Sequence, residues 1–216
     1  MSGNQTGVLR QQLLSALKGD QSHLDFASAL KDFPEKSYGA KPPGAPHTAW
    51  QLLEHLRIAQ HDILEFSRNP KYKSPQWPEG YWPAEEAPAG SAAWDASVKA
   101  FQKDARAFAK LVQDENADLF QPFAHGDGQT LLREALVLAA HNSYHLGQFV
   151  FLKKTDVSYN HRRRIAGYKM PVIARSENTR QACCIKRGFY AGKIFIIQKN
   201  SCAVHSHDQF DIGPFM

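Results

Sequence analysis

Cysteine is absent from residues 1–154 of this 216-residue chain, and its three positions are Cys183, Cys184 and Cys202. A cysteine-free body fits the reducing cytosol, so we expect a cytoplasmic location. No run of about 18 apolar residues occurs, so the sequence predicts no membrane-spanning helix. Residues 1–20 also lack an apolar segment with a small-residue cleavage site, so we expect no secretory signal.

Charge is unevenly distributed along the chain. Residues 1–154 contain 16 Lys and Arg against 17 Asp and Glu, whereas residues 155–216 contain 10 against 4. All four tryptophans lie in the first segment. We therefore expect a globular body over residues 6–154 and a basic C-terminal tail over residues 155–216 that is poorly ordered or translated out of frame. The tail could attract nucleic acid, but the near-neutral body argues against such a partner.

Two helical patterns occupy the first half of the body. Leucines at roughly helical spacing predict a first helix over residues 6–31. The second helix begins at Thr48, because Gln51 three residues later completes a capping-box pattern, and it runs to about Ser67. The proline-rich connector over residues 33–46 is long enough to allow a crossover between the two helices.

Two further helical patterns follow a segment rich in proline and aromatic residues. That segment, residues 69–90, contains two tryptophans and two tyrosines, so we expect it to pack over the helices. The third helix begins near Ser91, and its apolar residues recur in steps of four and three, as in a left-handed bundle. The fourth covers about residues 130–154. With no strand pattern and no repeat, the sequence predicts an all-α antiparallel four-helix bundle.

The histidines of these helices indicate a metal site. His141 and His145 are four residues apart, so both imidazoles project from one face, which is the apolar face directed at the bundle interior. Burying two unpartnered imidazoles costs on the order of several kcal/mol, and a metal ion would satisfy both. His55 occupies the corresponding face of the second helix, whereas His61 belongs to its outer face. Three neutral imidazoles suit Zn, Ni, Fe or Cu.

The ordinary alternative for an inward histidine is a hydrogen-bonded core residue. The metal interpretation requires the second and fourth helices to be neighbours, which spacing alone does not establish. Weaker candidates near the site, each with an ordinary packing, ion-pair or capping alternative, are Asp62, His125, Glu134, Tyr144 and Gln148.

Several ungapped segments carry a resemblance to a known family. They are PHTAWQLLEHLRIAQHDILEFSRNP (46–70), SPQWPEGYWP (74–83), WDASVKAF (94–101), HGDGQTLLREAL (125–136) and HNSYHLGQ (141–148). These segments resemble DinB-like proteins, the DNA-damage-inducible DinB or YfiT-like metal-binding bundle superfamily, which is unrelated to the DNA polymerase of the same name. The resemblance covers roughly residues 6–154.

This resemblance implies a four-helix bundle that binds a divalent metal through His55 in LLEHL and through His141 and His145 in HNSYH. Members of the family are often homodimers. They include metal-dependent transferases that use small thiols and a maleylpyruvate isomerase, and many have no known reaction. The identity of the metal among Zn, Ni and Fe stays open.

One position departs from the family pattern. Close relatives usually have an acid immediately before the first histidine of the last motif, and this chain has Ala140. If that acid orients a ligand imidazole, its loss would weaken metal binding or activity.

Three functions remain in competition. The first is a metal-dependent thiol transferase or hydrolase acting on a small thiol or another small molecule. The second is a non-catalytic metal-binding bundle of the stress response, which the loss of the acid at Ala140 favours. The third is a nucleic-acid binder acting through the basic tail.

Overall fold

The computed structural model describes the backbone of residues 3–165 and the side chains of residues 5–155. Within that range the chain is helical and has no strand, so the all-α prediction is confirmed. None of these helices combines the length and apolar character that crossing a bilayer requires. The predicted tail beyond residue 165 lies outside the described residues. The helices are α1 (Gly3–Lys18), α2 (Phe26–Leu30), α3 (Ala49–Arg68), α4 (Ser91–Gln113) and α5 (Leu131–Ile165).

The four long helices form the bundle. Helix α3 packs against α4 on one side and α5 on the other, and α1 packs against both α4 and α5. Glu54 is hydrogen-bonded to Ser97, and His61 to Asp104, so α3 and α4 run in the same direction. The long crossover between parallel helices is therefore the segment over residues 69–90. The connector that precedes α3, where the sequence allowed a crossover, contains the short helix η1 (Glu35–Ser37).

The first predicted helix is interrupted. Helix α1 ends at Lys18, and Gly19 adopts a φ of +75°, a left-handed conformation that favours glycine. A Cβ at this position would lie 3.0 Å from the Cε1 of His23. The helical path resumes only in α2, whose first turn is capped by Asp25, which accepts a 2.7 Å hydrogen bond from the amide of Ser28. The leucine spacing over residues 6–31 did not resolve this break.

The start of α3 is determined by the predicted capping box. The Thr48 side chain accepts from the amide of Gln51 at 3.1 Å, and the Gln51 side chain accepts from the amide of Thr48 at the same distance. The Thr48 hydroxyl also donates to the carbonyl of Glu86 at 2.7 Å. One buried threonine thus sets the first turn of α3 and attaches the crossover segment to it.

The bundle interior contains the predicted apolar faces. Along α4 the expected seam is buried at Trp94, Phe101, Phe108 and Val112.

Helix α5 begins where the sequence predicts but continues past Lys154 to Ile165, so its backbone crosses the point at which the composition changes. Along α5 the buried residues of the described part include Leu131, Ala135, Leu138, His141, His145, Leu146, Phe149 and Leu152.

Candidate metal centre

The three histidines singled out by the sequence lie together inside the bundle. His55 lies on α3, and His141 and His145 lie one turn apart on α5, which packs against α3. Each ring offers one nitrogen, and these three nitrogens lie within 4.8 Å of one another. The Nε2 atoms of His55 and His141 are 2.9 Å apart. The requirement that the two helices be neighbours is therefore met.

The nitrogen of each ring that faces away from the cluster is oriented by a protein oxygen. The Nδ1 of His55 lies 3.0 Å from the carbonyl oxygen of Tyr81, and the Nδ1 of His145 lies 2.7 Å from the Oε1 of Gln148. The Nδ1 of His141 has a longer contact of 3.4 Å with the Oδ1 of Asn142. Because these oxygens accept an N–H from Nδ1, they favour the tautomer whose Nε2 lone pair points into the cluster.

Burial makes this cluster unfavourable without a further partner. The three histidines expose only 2%, 6% and 4% of their surface, in the order His55, His141, His145. The Nε2 of His145 is buried and has no hydrogen-bond partner among the described residues. The close Nε2 atoms of His55 and His141 present two lone pairs to each other in the tautomers favoured above. A divalent cation bound by all three Nε2 atoms would satisfy every one of these groups, so the residues fit a metal ion.

The same burial keeps the rings neutral. Burial, together with the neighbouring imidazoles, lowers the pKa of His55 and of His141 to about 3. Burial also lowers the pKa of His145 to about 4, although its hydrogen bond to Gln148 opposes the shift. Neutral imidazoles are the form that ligates metal ions, so protons do not compete for the site at neutral pH.

An aromatic stack from the crossover segment covers one side of the cluster. The indole of Trp82 lies parallel to the His55 ring, with centroids 3.9 Å apart and an interplanar angle of 2°. The ring of His47 stacks on Trp82 at 3.9 Å and 16°. Burial lowers the pKa of His47. Neither residue was among the candidates that the sequence indicated. The expectation that the segment over residues 69–90 packs over the helices is confirmed by the contact of Trp82 with His55.

A buried carboxylate fixes the part of the crossover segment that contacts His55. The hydroxyl of Tyr81 donates to Asp62 on α3 at 2.7 Å, while the backbone carbonyl of Tyr81 faces His55. Burial and this carboxylate raise the pKa of the tyrosine well above its ordinary value. Asp62 was expected to form an ion pair, but its partner is a neutral hydroxyl. Its role is to position Tyr81.

Of the weaker candidates, Gln148 accepts from His145, whereas His125 and Glu134 have partners outside the histidine cluster. His125 Nε2 donates to the carbonyl of Phe66 at 2.8 Å, which is the loop-anchoring alternative. Glu134 is buried in the first turn of α5 and pairs with Arg133; burial raises its pKa. Tyr144 is 54% exposed, and the edge of its ring contacts His145.

The position that departs from the family pattern does not face the cluster. Ala140 is exposed on the outer face of α5. A helical side chain one residue before His141 points about 100° away from it, so an acid at this position would face solvent. The concern that the loss of this acid disturbs a ligand imidazole is therefore not supported by the geometry.

Comparison with known proteins identifies one family. The model of the DinB superfamily matches residues 20–149, which include all three histidines and the Gln148 that orients one of them. No curated protein shows a significant match to the chain. The same holds for solved structures.

The acceptor beside His145 should control metal affinity. We expect Gln148→Leu to weaken Zn²⁺ binding about 10- to 100-fold, because the imidazole loses the oxygen that orients it. Gln148→Glu keeps an acceptor and should retain affinity within a few fold of the wild type. Competition with a chromophoric chelator measures both constants. Equal affinities for Gln148→Leu and the wild type would contradict this role.

The metal-free protein should lose stability as the pH falls. The three histidines have folded pKa values of about 3 to 4, whereas unfolded histidine titrates near pH 6.5. Between these limits the unfolded chain binds more protons, so the contribution to stability is present above about pH 6.5 and is lost on acidification.

Urea unfolding in a chelator at pH 7 and pH 5 measures this loss, which should be on the order of 1–2 kcal/mol for each imidazole. His145→Gln removes one titration and should show a smaller difference between the two pH values. If the variant and the wild type showed the same difference, His145 would have the same pKa in the folded and the unfolded chain, which would contradict this prediction.

Proposed function

The chain belongs to the DinB superfamily, and we propose that it binds one divalent metal ion through the Nε2 atoms of His55, His141 and His145. The observation that carries this proposal is the convergence of three buried nitrogens whose partner nitrogens are oriented by protein oxygens. The imidazole donor set suits Zn, Ni or Fe. The YfiT-like placement within the superfamily belongs to the proposal and rests on the motif HNSYHLGQ.

Three imidazole ligands leave a coordination position for a water or a thiol. The bound metal would lower the pKa of that water or thiol towards neutrality. We therefore propose a metal-dependent transferase or hydrolase acting on a small thiol or another small molecule. The chain itself supplies three orienting acceptors. The indole of Trp82 covers one face of His55 and excludes water from it.

A non-catalytic metal-binding bundle of the stress response is the second candidate. The observation that favours it is the enclosure of the cluster, because the Nε2 of His145 has essentially no contact with solvent. Structural metal sites are closed, whereas catalytic sites keep an open position. The departure at Ala140 no longer favours this candidate, since that residue faces outwards.

The third candidate, nucleic-acid binding, depends on the basic residues of the tail, whose side chains lie outside the described residues. It stays a prediction. We also propose a cytoplasmic location for the protein, on the basis of the cysteine-free sequence of residues 1–154.

A turnover screen separates the first two candidates. Protein loaded with Zn²⁺, Ni²⁺ or Fe²⁺ is assayed against thiol-transfer and hydrolase substrates, beside a His55→Ala control. The enzyme candidate predicts turnover that exceeds this control at least 100-fold with one metal, because removing a ligand disables the centre. Stoichiometric metal binding with a raised melting temperature and no turnover would support the non-catalytic candidate instead.

We also propose that the chain forms a homodimer through the outer face of α5. Three large apolar residues, Leu136, Tyr144 and Phe151, are 53%, 54% and 59% exposed on one stripe of that helix. The exposed small residues Ala140 and Gly147 alternate with them. In an antiparallel pair of α5 helices centred on Tyr144, small residues face small ones, which allows close packing and buries the apolar stripe.

Phe151→Glu tests this surface, with Ala96→Glu on the exposed face of α4 as the matched control. Light scattering at fixed concentration should give a dimer mass for the wild type and Ala96→Glu. Phe151→Glu should shift towards the monomer, because the glutamate would be buried without a partner. A monomeric wild type, or equal masses for the two variants, would contradict the proposed interface.

A further inference from the structure

A cleft that does not include the three histidines lies on the α1 side of α5. It has a volume of about 370 Å³ and lies between the end of α1, the turn into α2, the middle of α4 and the middle of α5. Neither His55, His141 nor His145 lines it. This volume falls within the range of small-molecule sites. The proposed metal function does not use the cleft.

The walls of the cleft are largely apolar. The rings of Phe26 and Phe101 stack with centroids 4.0 Å apart, and Leu17 and Leu146 complete this side. Phe26 and Leu17 are only half-buried, so apolar surface is left open to a ligand. A flat apolar group would gain the free energy of removing this surface from water.

The charged residues at the edge of the cleft favour an anion. Lys18 pairs with Asp20, and the carboxylate of Asp25 is directed at the first turn of α2. Arg106 lies on the exposed edge and makes no hydrogen bond or ion pair within the described part of the chain. Its guanidinium therefore has all five N–H donors available for a carboxylate or sulfonate.

The α5 side of the cleft also contributes polar side chains. Asn142 lines it and donates to Gln60 across the bundle at 3.1 Å, while Ser143 lies 2.8 Å from the Nε2 of His23. Both side chains belong to α5, whereas Arg106 belongs to α4, so polar groups line the cleft on two helices. The cleft therefore combines apolar walls with a few polar groups, an arrangement typical of sites for small amphipathic molecules.

We propose that this cleft binds a small organic anion, whose apolar body lies against Phe26, Phe101 and Leu146 and whose acidic group pairs with Arg106. This site does not include the three histidines, and the residue it shares with their surroundings is Asn142, which lines the cleft and contacts His141. The site adds a second ligand class, an aromatic or alicyclic carboxylate or sulfonate, to the proposed function without depending on it.

The test uses the fluorescent probe 1-anilinonaphthalene-8-sulfonate, titrated onto the full chain at neutral pH. The wild type should bind it saturably at one site. Arg106→Glu should weaken binding at least tenfold, whereas Lys103→Glu, an exposed position on the same helix with the same change of charge, should alter it less than twofold. Equal effects of the two variants would overturn the arginine contact, because only the overall charge would then matter.

A second pair of variants locates the probe. Ala105→Phe fills the cleft and should abolish binding, whereas Ala96→Phe on the exposed face of α4 should not. Circular dichroism verifies that both are folded. The His141→Ala/His145→Ala variant should bind the probe as the wild type does, even if it binds no metal. Loss of the probe in that double variant, or retention in folded Ala105→Phe, would overturn the cleft as the site.

Discussion

The structure depends on the desolvation of three imidazoles between α3 and α5. Each ring is almost fully removed from water, and the low pKa values that follow keep all three neutral. Neutral rings in a dry interior need a hydrogen-bond or metal partner for every nitrogen. Protein oxygens contact the Nδ1 atoms, whereas the Nε2 atoms face one another inside the cluster. Three convergent nitrogens are the donor set that the proposed metal ion would require.

The segment over residues 69–90 acts together with the helices to shape this centre. It crosses between two parallel helices and is attached to the start of α3 by Thr48. Further along the same segment, Tyr81 supplies a carbonyl to His55 and Trp82 supplies the stacked indole. Asp62 fixes the tyrosine from α3. This segment, whose one regular element among the described residues is a 3-10 turn at Glu79–Tyr81, thus contributes as directly as the long helices do to the environment of the three histidines.

Much of the centre could be predicted because its signals are local. The spacing of His141 and His145 places both on one helical face, and the capping box at Thr48 and Gln51 fixes the register that turns His55 inwards. The outward direction of Ala140 follows from the same helical geometry, but it becomes visible only once the helix phase is known.

The rest depended on contacts between distant parts of the chain. His55 is oriented by a backbone carbonyl 26 residues away, and a carbonyl has no sequence signature. The stack of His47 on Trp82 joins two loops. The parallel direction of α3 and α4 follows from the path of the crossover segment. Apolar periodicity could not predict this direction, because it is the same for a helix that runs either way in the bundle. The end of α1 depended on one left-handed glycine within an otherwise continuous leucine pattern.

The three-histidine metal site is tested most simply by the metal content of the full chain, measured by inductively coupled plasma mass spectrometry. The protein is purified without chelators, beside the His141→Ala/His145→Ala variant. We predict about one Zn, Ni or Fe per wild-type chain and none in the variant, since one ion requires all three imidazoles. No metal in either protein after reloading, or equal metal in both, would contradict this prediction and return the histidines to the role of core residues.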